Sequence, residues 1–146
     1  MSVNIINVVF IVYFKLDRPS CGHHYDSTAF LFSLVNTHGG QPLKLDQTGQ
    51  YSDHERYSIY SCYDRGPTFG GGYDLQISNN AGSNTNSYSS LGHTYSPPPG
   101  HSYGSSSTNS FLAGSYTFRP DEVEVFYETT WKNHGAWILS FTHPVQ

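Results

Sequence analysis

The sequence predicts a mainly β protein, a two-layer antiparallel β-sandwich with little helix and long Asn/Ser/Gly loops. Three observations carry that expectation. Aromatic residues fill 16% of the 146 positions, and Tyr and Phe fit the pleated, half-buried surface of a strand better than a helix. Apolar and polar residues alternate with period two in several short segments, while no i, i+3, i+4, i+7 apolar stripe runs through any of them. Gly and Pro, 14 and 8 residues respectively, punctuate these segments as the turns of a layered all-β fold do.

Taken in order, residues 3–14 (VNIINVVFIVYF) form the first apolar run. It is too short for a membrane-spanning helix, which needs about 20 apolar residues. It also lacks the basic start and small-residue cleavage site of a signal peptide, so it reads as a buried strand. Residues 29–35 (AFLFSLV) give a second strand, apolar enough to be buried largely on both faces. Gly39, Gly40 and Pro42 break the chain before a short strand at 43–45. Residues 57–62 (YSIYSC) form a half-polar strand. The turn-rich stretch 64–72 (DRGPTFGGG) leads into 73–78 (YDLQIS), where Tyr73, Leu75 and Ile77 alternate with Asp74, Gln76 and Ser78. Residues 79–110, dominated by Asn, Ser, Gly, Thr, Tyr and Pro, read as one long loop studded with tyrosines. Residues 111–118 and 122–127 give two more strands. The tail 129–146 has Trp131, Trp137, Ile138 and Phe141 but no clear period.

Composition narrows the function classes. The net charge is −4 and the basic residues, Lys15, Arg18, Lys44, Arg56, Arg65, Arg119 and Lys132, are scattered. Such a distribution has no stripe to neutralise phosphates, which points away from nucleic acid and from anionic membrane surfaces. Cys21 and Cys62 are too few for a disulfide scaffold. They permit one bridge if two strands bring them together, a pairing the sequence leaves open; with no Asn-x-Ser/Thr sequon in an Asn-rich chain, the expectation is a reducing cytoplasm.

Candidate chemical motifs are weighed against plainer readings. Gly100-His101-Ser102-Tyr103-Gly104 matches the nucleophile elbow of α/β-hydrolases. That elbow needs a strand before it and a helix after it, and here Pro97–Pro99 precedes it and a Ser/Thr/Asn run follows, so it reads as a turn. The eight histidines include adjacent His23 and His24, which point to opposite faces of a strand. Cys21 and His23 form one Cys-x-His pair with no second pair at zinc-finger spacing. No metal or cofactor site is therefore expected. Phe69-Gly70-Gly71-Gly72 lacks the Lys-Ser/Thr of a phosphate loop, and Gly70, Gly71 and Gly72 read as a structural turn. Glu122 and Glu124 share a strand face and are candidate contact positions. So are Tyr88, Tyr95 and Tyr103, because Tyr set among Ser, Gly and Asn suits adaptable binding loops.

Several blocks together resemble the TLDc domain of oxidation-resistance proteins. They are Thr28–Leu34 (TAFLFSL), Gly66–Leu75 (GPTFGGGYDL), Ile77–Ala81 (ISNNA) and Asp121–Tyr127 (DEVEVFY). On this resemblance residues 21–128 are the C-terminal part of a TLDc domain and 129–146 a tail. Residues 1–20 depart from the family's N-terminal pattern, with Tyr13-Phe14-Lys15-Leu16 where a Phe-Gly-Gly-Tyr stretch normally stands. They are either the apolar strand of that domain or an extension foreign to it. The resemblance implies a non-catalytic protein-interaction module, monomeric and cytoplasmic, linked to protection from oxidative stress and to the subunits of the vacuolar ATPase. No catalytic residue set comes with it. The alternative reading is a secreted or surface β-sandwich that binds Ca²⁺ or carbohydrate through the Asn/Tyr-rich loop and the acidic strand.

Overall fold

A computed structural model describes residues 7–11, 21–35, 41–48, 54–121, 123–129 and 137–143. The strands are β1 (Asn7–Ile11), β2 (Gly22–His24), β3 (Phe30–Val35), β4 (Leu43–Leu45), β5 (Ile59–Ser61), β6 (Thr68–Phe69), β7 (Leu75–Gln76), β8 (Ser87–Ser89), β9 (Thr117–Phe118), β10 (Val123–Thr129) and β11 (Trp137–His143). Among the described residues, helix is confined to two short 3-10 turns, His54–Tyr57 and Ala81–Ser83, and the single turn α1 (Ser106–Asn109). The strands form a six-stranded sheet β2-β5-β6-β7-β8-β9, a three-stranded sheet β1-β3-β4 and the pair β10-β11, all antiparallel.

One core lies between the sheets. Along the inner row of the large sheet Ile59 faces Phe69, Phe69 faces Leu75, and Leu75 faces Ser89. From the smaller sheet Leu31 pairs with Leu45. All five side chains other than Ser89 belong to one buried apolar cluster with Leu91, Tyr95, Phe111, Leu112 and Phe118. The mainly β sandwich that the composition predicts is the architecture found. Its two layers are also tied by polar groups. The Ser58 hydroxyl donates to Gln47 Oε1 at 2.6 Å and accepts from the Asp26 amide at 3.1 Å. Gln47 Nε2 donates to the carbonyls of Asp26 and Ala29, each at 2.7 Å. Buried polar groups satisfied in this way strengthen one another in a low dielectric.

Several expected elements take a different form. The strand expected to be buried on both faces, β3, buries Leu31 and Ser33 fully but leaves Phe30 and Phe32 half-buried. Its outer side is covered only in part, by the Lys44 ammonium lying 4.7 Å from the Phe30 ring centre. The clean alternation at 73–78 shrinks to two strand residues. Tyr73 takes a left-handed conformation with φ 55°, and Asp74, which alternates with the apolar residues in sequence, is fully buried like Leu75. Residues 111–118 are strand only at Thr117–Phe118, because the segment before it continues the turn that follows α1.

The long loop expected at 79–110 is folded against the core. Its Asn and Ser side chains close local backbone turns, as such residues do. Asn84 Nδ2 donates to the carbonyls of Asn79 and Asn80 at 2.9 and 2.8 Å. The Ser105 hydroxyl caps α1 by accepting from the Thr108 amide at 3.2 Å. Leu91 and Tyr95 from the same segment are fully buried. The tail, which shows no period, contributes β11, paired with β10 from Val123↔His143 to Thr129↔Trp137. Finally, Cys21 and Cys62, whose pairing the sequence leaves open, form a disulfide with Cα atoms 4.2 Å apart. Pairing of Gly22 with Ser61 sets the two cysteines opposite one another one step further along, a relation no linear spacing reveals.

Candidate interaction face

The outer row of the six-stranded sheet carries a different chemistry from the inner one. Its cross-strand sequence is His23, Tyr60, Thr68, Gln76, Tyr88 and Thr117. Side chains directly opposite on one sheet face lie close enough to interact, and here they build a band of rings. His23 sits edge-on to Tyr57 and Tyr60, with centroids 5.0 and 4.9 Å apart. Tyr60 packs on Tyr73 at 5.4 Å. His93 meets Tyr57 at 6.2 Å and Tyr103 at 6.4 Å. At the far edge Tyr88 packs against Tyr116 with ring centroids 5.6 Å apart and the planes tilted by 40°.

Arg65 crosses the middle of this band. Its guanidinium lies 5.1 Å from the Tyr73 ring centre and 5.6 Å from that of Tyr60, the geometry of a cation–π contact. Nη1 also donates to Gln76 Oε1 at 3.1 Å. Beside it an open, mostly polar groove of about 550 Å³ is lined by Arg65, Tyr73, Gln76, Ser78, Asn86 and Tyr88, among others. Burial raises the Tyr88 phenol above its ordinary range, helped by Tyr116 and Tyr73, with Arg65 acting the other way. Burial also lowers the His23 pKa, and the neighbouring His24 and His93 add to that effect. The face therefore presents rings, the Arg65 guanidinium, the Asp64 carboxylate and amide groups.

What holds the band in place lies directly beneath it. Asp74 Oδ1 accepts from four successive backbone amides, Gly92 at 2.9 Å, His93 at 3.0 Å, and Thr94 and Tyr95 at 3.2 Å. Oδ2 accepts again from Thr94 at 3.1 Å. Burial pushes the Asp74 carboxyl up to about 6, while the amides pull in the opposite direction. The glycines 70–72 fit around this cage. A Cβ on Gly70, whose φ is +84°, would stand 1.9 Å from Asp74 Oδ2. On Gly71 and Gly72 it would stand 2.7 and 2.8 Å from His93 atoms. The three glycines thus admit the carboxylate and the His93 ring.

The candidate contact residues divide accordingly. Tyr88 is a half-buried member of the outer row, and Tyr103 is 40% exposed beside His93. Tyr95 is a correction: it is fully buried, and its hydroxyl donates to the Ser58 carbonyl at 2.8 Å. It is a core residue because the amide cage around Asp74 draws its backbone inward. Glu122 lies outside the described residues, and Glu124 belongs to β10, where it pairs with Thr142. Ser102 sits in a turn entered from the proline run rather than from a strand, so the elbow geometry is not built. The sequence did not single out His23, Tyr57, Tyr60, Arg65, Tyr73 and His93 as a group. They lie on four separate segments, gathered by the β2–β5 register and by the turns and the Asp74 cage that fold the other segments against it.

A sequence profile described as the TLDc domain matches residues 9–129, from within β1 to the end of β10. The match covers most of the chain, and the chain belongs to the TLDc domain family. No curated protein and no solved structure matches it significantly. Among the described residues no helix is long and apolar enough to cross a membrane.

Proposed function

We propose that this TLDc-family chain is a non-catalytic protein-interaction module, and that it meets its partner with the outer face of the six-stranded sheet. The observation that carries the reading is the pre-packed band of His23, Tyr60, Arg65 and Tyr73. Tyr and Arg are the residues in which interface energy concentrates. Rings already held against one another lose little further freedom on binding. The groove beside Arg65, with its amide and hydroxyl lining, supplies hydrogen-bonding groups for a polar rim. The family is associated with oxidation resistance, and its resemblance puts vacuolar ATPase subunits first among candidate partners, met by a monomeric chain in the cytoplasm.

The test is calorimetric titration of the purified chain with isolated cytosolic subunits of the vacuolar ATPase. The double variant Tyr60→Ala, Arg65→Ala should bind at least about 30-fold more weakly, the effect of removing one anchor worth about 2 kcal/mol. Its far-ultraviolet circular dichroism should match that of the parent. Equal binding by parent and variant would remove the face from the interaction. Absence of binding by the parent would remove this partner class.

A further inference from the structure

The sequence offers Cys21-Gly22-His23 as an isolated Cys-x-His pair. The fold sets a Cys-x-Asp pair, Cys62-Tyr63-Asp64, beside Cys21. Register between β2 and β5 sets Cys21 opposite Cys62, and the turn after β5 returns Asp64 to the same place. The two sulfur atoms and a carboxylate oxygen of Asp64 all lie within 4.8 Å of one another. Cys62-Tyr63-Asp64 is thus the partner that Cys21 lacks in the linear sequence. Cys21 and Asp64 are exposed and Cys62 is half-buried, so solvent and solutes reach the group.

We propose that, once the disulfide is reduced, Cys21, Cys62 and Asp64 form a site for a thiophilic divalent cation of the zinc class. Bonds of about 2.3 Å to sulfur and about 2.0–2.2 Å to a carboxylate oxygen put tetrahedral ligand atoms roughly 3.5–4 Å apart. In the oxidised chain the two sulfurs are bonded to each other; reduction lets them part to that separation, with the Asp64 oxygen already within 4.8 Å of both. Two thiolates select a soft or borderline ion over calcium or magnesium. Three protein ligands leave the fourth position to water or to a ligand brought by a partner.

The chemistry makes two exclusive states of one cysteine pair. A dithiol reductant delivers two electrons and two protons to the disulfide, yielding two thiols and its own disulfide. Metal binding then displaces the two thiol protons to solvent. The oxidised chain keeps only Asp64 of the three ligands. In either state the edge strand β2, which carries His23 to the aromatic band, is cross-linked to β5. The inference stands whether or not that band binds a protein.

The experiment uses the full chain, reduced with a phosphine, freed of reductant without oxygen and titrated with Co²⁺. The reduced chain should show thiolate-to-cobalt charge-transfer absorption saturating at one ion per chain, displaced by Zn²⁺, and the oxidised chain none. Cys62→Ser should abolish the band. Asp64→Asn leaves the disulfide intact as a check on folding. Losing even an outer partner of a metal ligand costs about 10–100-fold in affinity, so Asp64→Asn should weaken binding by at least tenfold. Three results would each overturn the proposal. They are no charge-transfer band in the reduced chain, Asp64→Asn binding as tightly as the parent, and one ion per two chains with dimerisation on gel filtration.

Discussion

Asp74 is the residue whose alteration reads out most of the architecture. It is fully buried, and four backbone amides converge on its carboxyl. Replacing it with Ala strands those donors, and each buried donor without a partner costs about 1–3 kcal/mol. Some of that returns if water fills the space, so Asp74→Ala should lose about 4 kcal/mol or more. That is a large part of the roughly 5–15 kcal/mol by which domains are stable. Asp74→Asn keeps an oxygen where Oδ1 receives all four amides, and should cost about 1 kcal/mol near pH 5. The pH dependence separates charge from hydrogen bonding. Burial raises the folded-state value to about 6 from an ordinary 3.8. Between those values the folded chain holds more protons than the unfolded one. Stability is therefore greatest below the lower value and falls as pH rises toward the upper one, by an amount on the order of 3 kcal/mol. The lowered His23 value acts in the opposite sense, costing stability as pH falls. Subtracting Asp74→Asn from the parent cancels it. Urea denaturation followed by circular dichroism at pH 4 to 7 should show the difference moving in favour of Asp74→Asn as pH rises. A flat difference would mean that the amides offset burial completely. An Asp74→Ala variant within 1 kcal/mol of the parent would refute the cage itself.

Two further substitutions probe the same region. Gly70→Ala sets a Cβ 1.9 Å from Asp74 Oδ2 at φ +84°, and Asp74 cannot withdraw without releasing its amides. Gly100→Ala, at φ +79° with nothing within 4 Å, meets only the left-handed backbone penalty of about 1–2 kcal/mol. Urea midpoints should place Gly70→Ala well below Gly100→Ala, and equal losses would show that Asp74 yields. Tyr95→Phe deletes the bond to the Ser58 carbonyl, but that carbonyl also accepts the Gly70 amide at 3.0 Å. The loss should stay near 1 kcal/mol, read by calorimetry as about 2–4 °C in Tm for a chain of this size. A fall beyond about 8 °C would mean the hydroxyl holds more than this one bond.

The parts of the fold that were legible in sequence are those decided locally. Residues 29–35, 43–45 and 122–127 alternate and are apolar enough to be strands, and β3, β4 and β10 form there. The GGG turn was legible because no other residue type fits such close packing. Long-range pairing was not legible. Leu75 and Asp74 sit side by side in a period-2 pattern, yet both are fully buried, because amides from residues 92–95 make a polar interior site for the carboxyl. Tyr88, Tyr95 and Tyr103 look alike in an Asn/Ser-rich segment. Only Tyr95 follows an amide held by Asp74, and it alone is fully buried. The Cys21–Cys62 bridge and the aromatic band both depend on which strands are neighbours, and composition carries no record of that.

The cage and the face are one mechanical unit. The amide of His93 bonds to Asp74 at 3.0 Å, and the Gly71 amide bonds to Thr94 Oγ1 at 2.9 Å. The backbone under the His93 ring is thereby fixed from two sides. Gly71 and Gly72 leave room for that ring, since a Cβ on either would stand 2.7 or 2.8 Å from His93 atoms. Tyr57, which His93 touches, is also the ring against which His23 stands. Positioning thus passes from a buried carboxylate, through one histidine, to rings on two other segments. If the face binds as proposed, support of this kind means that it loses little freedom when a partner arrives. On that proposal, substitutions at Asp74 or Gly70 should weaken binding by loosening the face. Tyr60 and Arg65, which stand on the face and outside the cage, are the positions where loss of binding can be read apart from loss of fold.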